Sequence, residues 1–103
     1  MGNVKLELWL SQETLGKDFK ALSEVKSALE IDIDDGTSVT MLFKNLAQRY
    51  RPIEEKIFDT DRDSFYADVM VTLNGRILSY AEIYGRVLQD GDEIAILPMH
   101  VGG

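Results

Sequence analysis

The chain has 103 residues, the usual length of one domain, with no room for a second. Its formal net charge of −7 disfavours binding to the phosphate backbone of nucleic acids. The absence of cysteine excludes disulfides, thiolate metal sites and a cysteine nucleophile. No apolar run approaches the ~20 residues of a membrane span, and no signal-peptide pattern opens the chain. We therefore expect a cytoplasmic protein with no nucleic-acid or membrane partner.

The first third of the chain predicts two strands that pair as a hairpin. Residues 4–10 (VKLELWL) and 29–34 (LEIDID) alternate apolar and polar side chains, as strands with one buried face do. The polar stretch between them, residues 11–27, is predicted to be a loop that holds a short helical turn. Trp9 breaks the pattern because it shares the nominally exposed face with charged residues.

A helix is predicted over residues 39–50, whose apolar side chains recur at the spacing of one helical face. Thr37 or Ser38 is its N-cap, and Pro52 ends it because the residue before a proline avoids helical geometry. Residues 53–68 mix apolar and acidic side chains, so we expect a connecting segment with room for one more helical turn.

The last third predicts three strands. A turn at Asn74 and Gly75 joins strand 69–73 to a short strand 76–78, and residues 93–99 form the final strand after a helical turn. The order strand, strand, helix, strand, short strand, strand indicates an α+β fold. We expect a mixed sheet of four to five strands with one main helix packed on one face.

Metal and nucleotide motifs are weak in this sequence. Asp59, Asp61 and Asp63 are spaced like the first ligands of a calcium loop. Ser64 then stands where that loop needs glycine, and Met70 where it needs glutamate, so a solvated acidic loop is expected. One histidine without cysteine cannot anchor zinc, and no glycine-rich nucleotide loop occurs. We predict no metal site and no bound cofactor.

Two interpretations of Trp9 remain open from the pattern alone. In the first, the loops before residue 28 cover its ring. In the second, Trp9 belongs to an exposed apolar patch that docks a partner. The other members of that patch fall on outward or terminal positions: Ile77, Leu97 and Met99.

The sequence ends in LPMHVGG. We expect residues 99–103 to form a flexible tail that reaches ~16 Å beyond the last strand at ~3.3 Å per residue. Gly102 and Gly103 have no side chains, so their backbone could pass through a narrow channel in a partner. The reactive group would be the carboxylate of Gly103, which must first be activated, most simply as an acyl-adenylate made with ATP by another enzyme.

The ending QDGDEIAILPMHVGG, from Gln89, and the segment VTLNGRILSY, from Val71, resemble the ubiquitin-like β-grasp sulfur carriers. The small subunit of molybdopterin synthase (MoaD-like) is the most similar, and the thiamine sulfur carrier (ThiS-like) is next. The resemblance implies that Gly103 is adenylated by an E1-like adenylyltransferase (MoeB/ThiF-like), which uses the ATP. It also implies that Trp9, Ile77, Leu97 and Met99 match the docking patch of the family.

The resemblance further implies a carrier that does not catalyse alone. A sulfurtransferase would supply sulfur for a C-terminal thiocarboxylate, and the large synthase subunit (MoaE-like) would use it to make the molybdenum or tungsten cofactor. The alternatives are a thiamine-type sulfur carrier, a ubiquitin-like modifier conjugated to lysines, and a non-covalent β-grasp binding module. Residues 11–27 and 52–68 are longer than is usual in the family, which leaves the pathway open.

Overall fold

The computed structural model of the protein describes residues 2–98. The strands are β1 (Gly2–Leu8), β2 (Lys20–Ala21), β3 (Ser27–Ile33), β4 (Phe58–Asp59), β5 (Ser64–Phe65), β6 (Val69–Leu73), β7 (Arg76–Ile77) and β8 (Glu93–Pro98). The helices are α1 (Gln12–Leu15), α2 (Val39–Arg49), α3 (Arg51–Lys56) and α4 (Tyr80–Gly85).

Six of the strands form one mixed sheet in the order β2-β3-β1-β8-β6-β7, and β4 pairs with β5 in a separate small sheet. β1 and β8 are parallel, whereas the other neighbours in the main sheet are antiparallel. The predicted α+β class and the hairpin of the first two long strands are confirmed. The short strands β2, β4 and β5 were not predicted from the sequence.

One face of the main sheet is covered by α2. The inward side chains of β1 and β8 are buried, and they are Val4, Leu6, Leu8, Ile94 and Ile96. The buried residues of α2 are Val39, Leu42, Phe43, Leu46 and Ala47. Strand alternation and helical spacing each determine which side chains share a face, so the sequence predicted both halves of this core. We call the sheet face opposite α2 the outer face.

Local chemistry sets the ends of α2. The Ser38 hydroxyl accepts a hydrogen bond from the Met41 backbone N–H at 3.1 Å, so Ser38, one of the two predicted candidates, is the N-cap. Pro52 lies in the first turn of α3, where a helix needs no backbone donor. The two helices are separated at Tyr50, whose backbone is extended (φ −127°, ψ 106°). Arg51, the residue before the proline, is helical, contrary to the expectation, and α3 is the additional helical turn that the sequence allowed.

Both stretches that the sequence assigned to connections contribute to the core. Leu15 and Phe19 are buried in the first stretch, and Ile53, Ile57 and Phe58 are buried in the second. The helical turns that the sequence allowed in these stretches are α1 and α3. The burial of these apolar residues was not predicted, because residues without a regular period give no signal of a buried face. They belong to the same hydrophobic core as the buried residues of the sheet and α2.

A hydrogen-bonded latch determines where β8 begins. The Asn74 side-chain amide donates to Asp92 Oδ1 at 3.0 Å, and the Gln89 backbone N–H donates to Asp92 Oδ2 at 2.8 Å. The Glu93 backbone N–H in turn donates to Asn74 Oδ1 at 2.9 Å. Asp92 is buried, while Gly91 takes the positive φ that its turn requires. The latch holds the turn after β6 against the turn before β8.

Candidate functional site

β8 carries the candidate site because it leads towards the Gly-Gly end of the sequence. It lies in the middle of the sheet, parallel to β1 on one side and antiparallel to β6 on the other. Its last residue, Pro98, is paired with Val69 at the start of β6. The predicted site residues Met99, Gly102 and Gly103 lie outside the described residues.

The sheet register brings Trp9 and Leu97 together on the outer face. The last pair of β1 and β8 is Leu8 with Ile96, and the Trp9 backbone N–H donates to the Ile96 carbonyl at 3.3 Å. The next position along each strand therefore sets Trp9 beside Leu97, and Leu97 is paired with Met70 of β6. We call Trp9, Leu97 and Met70 the apolar row.

Met70 was not among the residues predicted for the docking patch. The signal was present, because Val69, Val71 and Leu73 alternate inward and leave Met70 outward. What the sequence did not contain was the pairing partner of Met70. Only the register of β6 with β8 places its side chain next to Leu97.

Ile77 lies at the rim of the same face. It is 58% exposed and is paired with Thr72, which is paired with Ala95 of β8. Two strand spacings therefore separate Ile77 from β8, a lateral distance of ~10 Å. The structure thus joins two of the predicted residues directly and leaves Ile77 as an outlying member on the same face.

Trp9 combines features of both interpretations. Its side chain is 43% exposed, but the Lys26 ammonium lies 5.4 Å from the centroid of its ring. Lys26 also lies 3.6 Å from Glu7 Oε1, in the next row of the outer face. A residue before position 28 therefore covers one side of the ring as a cation–π partner, and the rest of the ring remains open to a partner.

Charges on the outer face are balanced around the apolar row. Glu7 belongs to a second row, which runs from Lys20 to Ile77. A third row pairs Lys5 with Glu30 and Glu93. With Lys26 included, these three rows hold three lysines and three glutamates, whereas the whole chain carries a net charge of −7. The apolar row therefore lies in a nearly neutral part of an acidic protein.

A cleft opens beside the end of β8. It lies between the end of β1, α3 and the start of β6, and its lining includes Trp9, Lys56, Tyr66, Asp68 and Leu97. The Tyr66 hydroxyl donates to the Glu54 carbonyl at 2.7 Å. Desolvation, followed by the charges of nearby carboxylates, raises the pKa of Tyr66 above 10.0, so its phenol is neutral at physiological pH. Ile96 and Leu97 both line the cleft, so it lies against the end of β8.

An ion pair attaches β7, the edge strand of the outer face, to α4. The Arg76 guanidinium lies 2.7 Å from Glu82 Oε2 and joins β7 to α4. The same carboxylate accepts a hydrogen bond from the Ser79 backbone N–H in a capping box. The hydrogen bond from Arg76 and then those from Ser79 lower the pKa of Glu82 to about 2. Ile77 is therefore positioned by a short hairpin that is tied to a capped helix.

Residues 2–98 contain no group of three or more His, Cys, Asp or Glu side chains that could hold a metal ion. The acidic loop has local roles, since Asp59 Oδ1 accepts the Asp61 backbone N–H at 3.0 Å and Asp63 pairs with Lys44 at 3.2 Å. Across the same residues, every helix is too short or too polar to span a membrane.

Comparison with known proteins gives a family and several structural relatives. The family model described as the ThiS family matches residues 19–103. No curated protein sequence matches the chain. The structure of small archaeal modifier protein 1 from Haloferax volcanii is similar with a TM-score of 0.70 and 23% identity, covering 99% of this chain and 100% of that chain.

Two further structures share the fold. A Pyrococcus furiosus protein described as "Putative molybdopterin converting factor, subunit 1" has a TM-score of 0.62 and 25% identity, covering 95% of this chain and 98% of that chain. Small archaeal modifier protein 1 from Methanosarcina acetivorans has a TM-score of 0.67 and 24% identity, with coverage of 100% and 98%. The ubiquitin-like β-grasp fold predicted from the sequence is confirmed.

Proposed function

The chain belongs to the ThiS family, and from that premise we propose that it is a sulfur carrier whose reactive group is the C-terminal carboxylate of Gly103. The observation that carries the proposal is the extent of the family match, which includes β8 and continues through Gly102 and Gly103. The position of β8 supports it, because the central residue of the apolar row, Leu97, belongs to the strand that leads into the tail.

The proposed chemistry takes place in partner enzymes. In an E1-like adenylyltransferase, a carboxylate oxygen of Gly103 attacks the α-phosphorus of ATP, which forms the acyl-adenylate and releases pyrophosphate. Hydrosulfide from a sulfurtransferase system then attacks the carbonyl carbon, and AMP leaves with the electrons of the broken C–O bond. The product is a thiocarboxylate. The chain contributes a narrow glycine end and a surface that positions it.

We further propose that the thiocarboxylate supplies sulfur for molybdopterin synthesis in a large synthase subunit. The resemblance of the terminal segment to the small subunit of molybdopterin synthase supports this pathway. So does the fold shared with the Pyrococcus furiosus protein, whose description names a molybdopterin converting factor. In this role Trp9 and Leu97 bind the partner enzyme at the centre of the contact, Met99 extends it along the tail, and Ile77 contacts its rim.

Protein modification is the second candidate function. Structures from two archaea that share the fold are named small archaeal modifier proteins. The same acyl-adenylate would then react with an amine in place of hydrosulfide, so that an isopeptide bond joins Gly103 to a lysine of a target. The two functions share the activation step and differ only in the nucleophile that follows.

Intact mass spectrometry tests the carrier function. The protein is incubated with ATP, hydrosulfide and the E1-like enzyme of its source organism, and we expect the mass change of one oxygen replaced by sulfur at Gly103. A chain without Gly102 and Gly103 is the control and should show no change. If activation occurs but sulfur is never incorporated, and lysines in cell extracts carry Gly-Gly remnants, the modifier function replaces the carrier function.

Recovery of the natural partner distinguishes the pathways. A tagged chain that co-purifies with a pterin-synthase large subunit supports molybdopterin synthesis. Co-purification with a thiazole-forming enzyme instead would contradict that pathway and indicate a thiamine-type carrier.

A further inference from the structure

The apolar row continues beyond Trp9 onto the hairpin between β2 and β3. The register pairs Leu8 with Ser27, so the next positions set Trp9 beside Lys26. Leu22 follows in the same way, because β2 and β3 pair Ala21 with Ser27 and the Leu22 backbone N–H donates to the Lys26 carbonyl at 3.0 Å. Leu22, Lys26 and the apolar row therefore form one line across the outer face.

Two apolar side chains are exposed to solvent at the tip of this hairpin. Leu22 is 45% exposed and Val25 is 56% exposed. The tip is ordered by its own hydrogen bonds, since the Ser23 backbone N–H donates to the Lys26 carbonyl at 3.2 Å and the Val25 backbone N–H donates to Ser23 Oγ at 3.2 Å. A defined turn with two exposed aliphatic side chains beside an exposed tryptophan is the composition of a binding surface.

The positive charge of Lys26, which lies between Leu22 and Trp9 in this line of residues, is already compensated. The Lys26 ammonium lies between the Trp9 ring and the Glu7 carboxylate, so it already has an aromatic face and an acidic partner. A protein that covers this line need not supply a carboxylate for Lys26. The surface therefore favours an apolar partner surface over an acidic one.

Distances allow a single partner to cover the whole line. Three strand spacings separate Leu22 from Leu97, which is ~14 Å. A standard protein interface buries ~800 Å² on each partner, which corresponds to a patch ~30 Å across. A protein that takes up the chain after β8 and contacts Leu97 is therefore large enough to contact the hairpin tip as well.

We propose that Leu22 and Val25, at the tip of the β2–β3 hairpin, form with Trp9 an auxiliary docking site for an apolar surface of the E1-like enzyme that adenylates the tail. This proposal rests on the proposed activation of Gly103. We assign the activating enzyme to this site because both candidate functions require it. They differ only in the nucleophile that later attacks the acyl-adenylate. The hairpin tip lies in residues 11–27, so this stretch supplies binding area on the same sheet face as the tail-bearing strand.

Steady-state adenylation, measured as pyrophosphate release with the intact protein and its E1-like enzyme, tests the proposal. The double variant Leu22→Ala/Val25→Ala should raise KM by about tenfold and leave kcat unchanged, because the lost contacts bind without taking part in the chemistry. The increase should persist at higher salt, since the contact is apolar. Thermal unfolding of the variant should match the wild type, because both side chains are exposed.

Met41→Ala is the matched control. Met41 is 58% exposed on α2, which packs on the opposite side of the sheet, and its truncation should change KM by less than twofold. If the double variant keeps the wild-type KM while the wild type is adenylated, the auxiliary site is refuted and the proposed function stands. If the wild type itself is never adenylated, the proposed function fails and the auxiliary site fails with it.

Discussion

Replacing Asp92 by alanine should destabilise the protein more than replacing any nearby exposed acidic residue. Asp92 is buried and receives two hydrogen bonds, from the Asn74 amide at 3.0 Å and the Gln89 backbone N–H at 2.8 Å. Alanine leaves both donors without their acceptor. The turn before β8 then loses its attachment to the turn after β6.

The size of the effect follows from these two donors. A buried donor without a partner costs about 1–3 kcal/mol, and the lower value applies here because Asn74 and Gln89 are exposed residues that water reaches. We therefore expect the free energy of unfolding to fall by about 2 kcal/mol. For a domain of this length, that loss lowers Tm by about 8–16 °C.

Denaturant and thermal unfolding measure the change, with two variants for calibration. Asp92→Asn keeps one carbonyl acceptor and should lose about half as much as Asp92→Ala. Asp90→Ala removes a single exposed hydrogen bond, 2.8 Å from the Asn3 backbone N–H, and should cost less than about 1 kcal/mol. The latch would be refuted as the origin of the effect if Asp92→Ala were no more destabilising than Asp90→Ala.

Three further predictions test other parts of the molecule. Phe19→Ala should lower the free energy of unfolding by about 3–5 kcal/mol in chemical denaturation, because it leaves a cavity at a buried site. A decrease of less than about 1 kcal/mol would contradict the burial of Phe19. By NMR the Glu82 carboxyl should titrate with a pKa of about 2, so its stabilising effect is full above pH 4.5 and is lost as the pH falls through 2. Arg76→Ala should raise that pKa, and an unchanged value would contradict the assigned cause. Trp9→Ala should raise the KM of adenylation by about tenfold with the fold intact by circular dichroism, and an unchanged KM would remove Trp9 from the docking surface.

Local pattern and tertiary pairing contributed differently to these conclusions. The spacing of Ile94 and Ile96, and that of the apolar residues in α2, was sufficient to predict which faces are buried, because side-chain direction repeats every two residues in a strand and every 3.6 in a helix. The burial of Phe19 and Phe58 was missed because neither residue belongs to a run with a regular period. Their burial depends on how the segments around α1 and β4 pack against the core.

The sequence by itself determined the outward direction of Trp9, Met70 and Leu97, the glycine end and the resemblance of the last third to the sulfur carriers. Only the tertiary structure decided that these three side chains are neighbours and that Leu22 and Lys26 continue their row. The physical reason is that alternation is a property of a single strand, whereas register depends on pairing between distant segments. β1 and β8 lie at opposite ends of the chain, and the packing of the whole core sets their alignment.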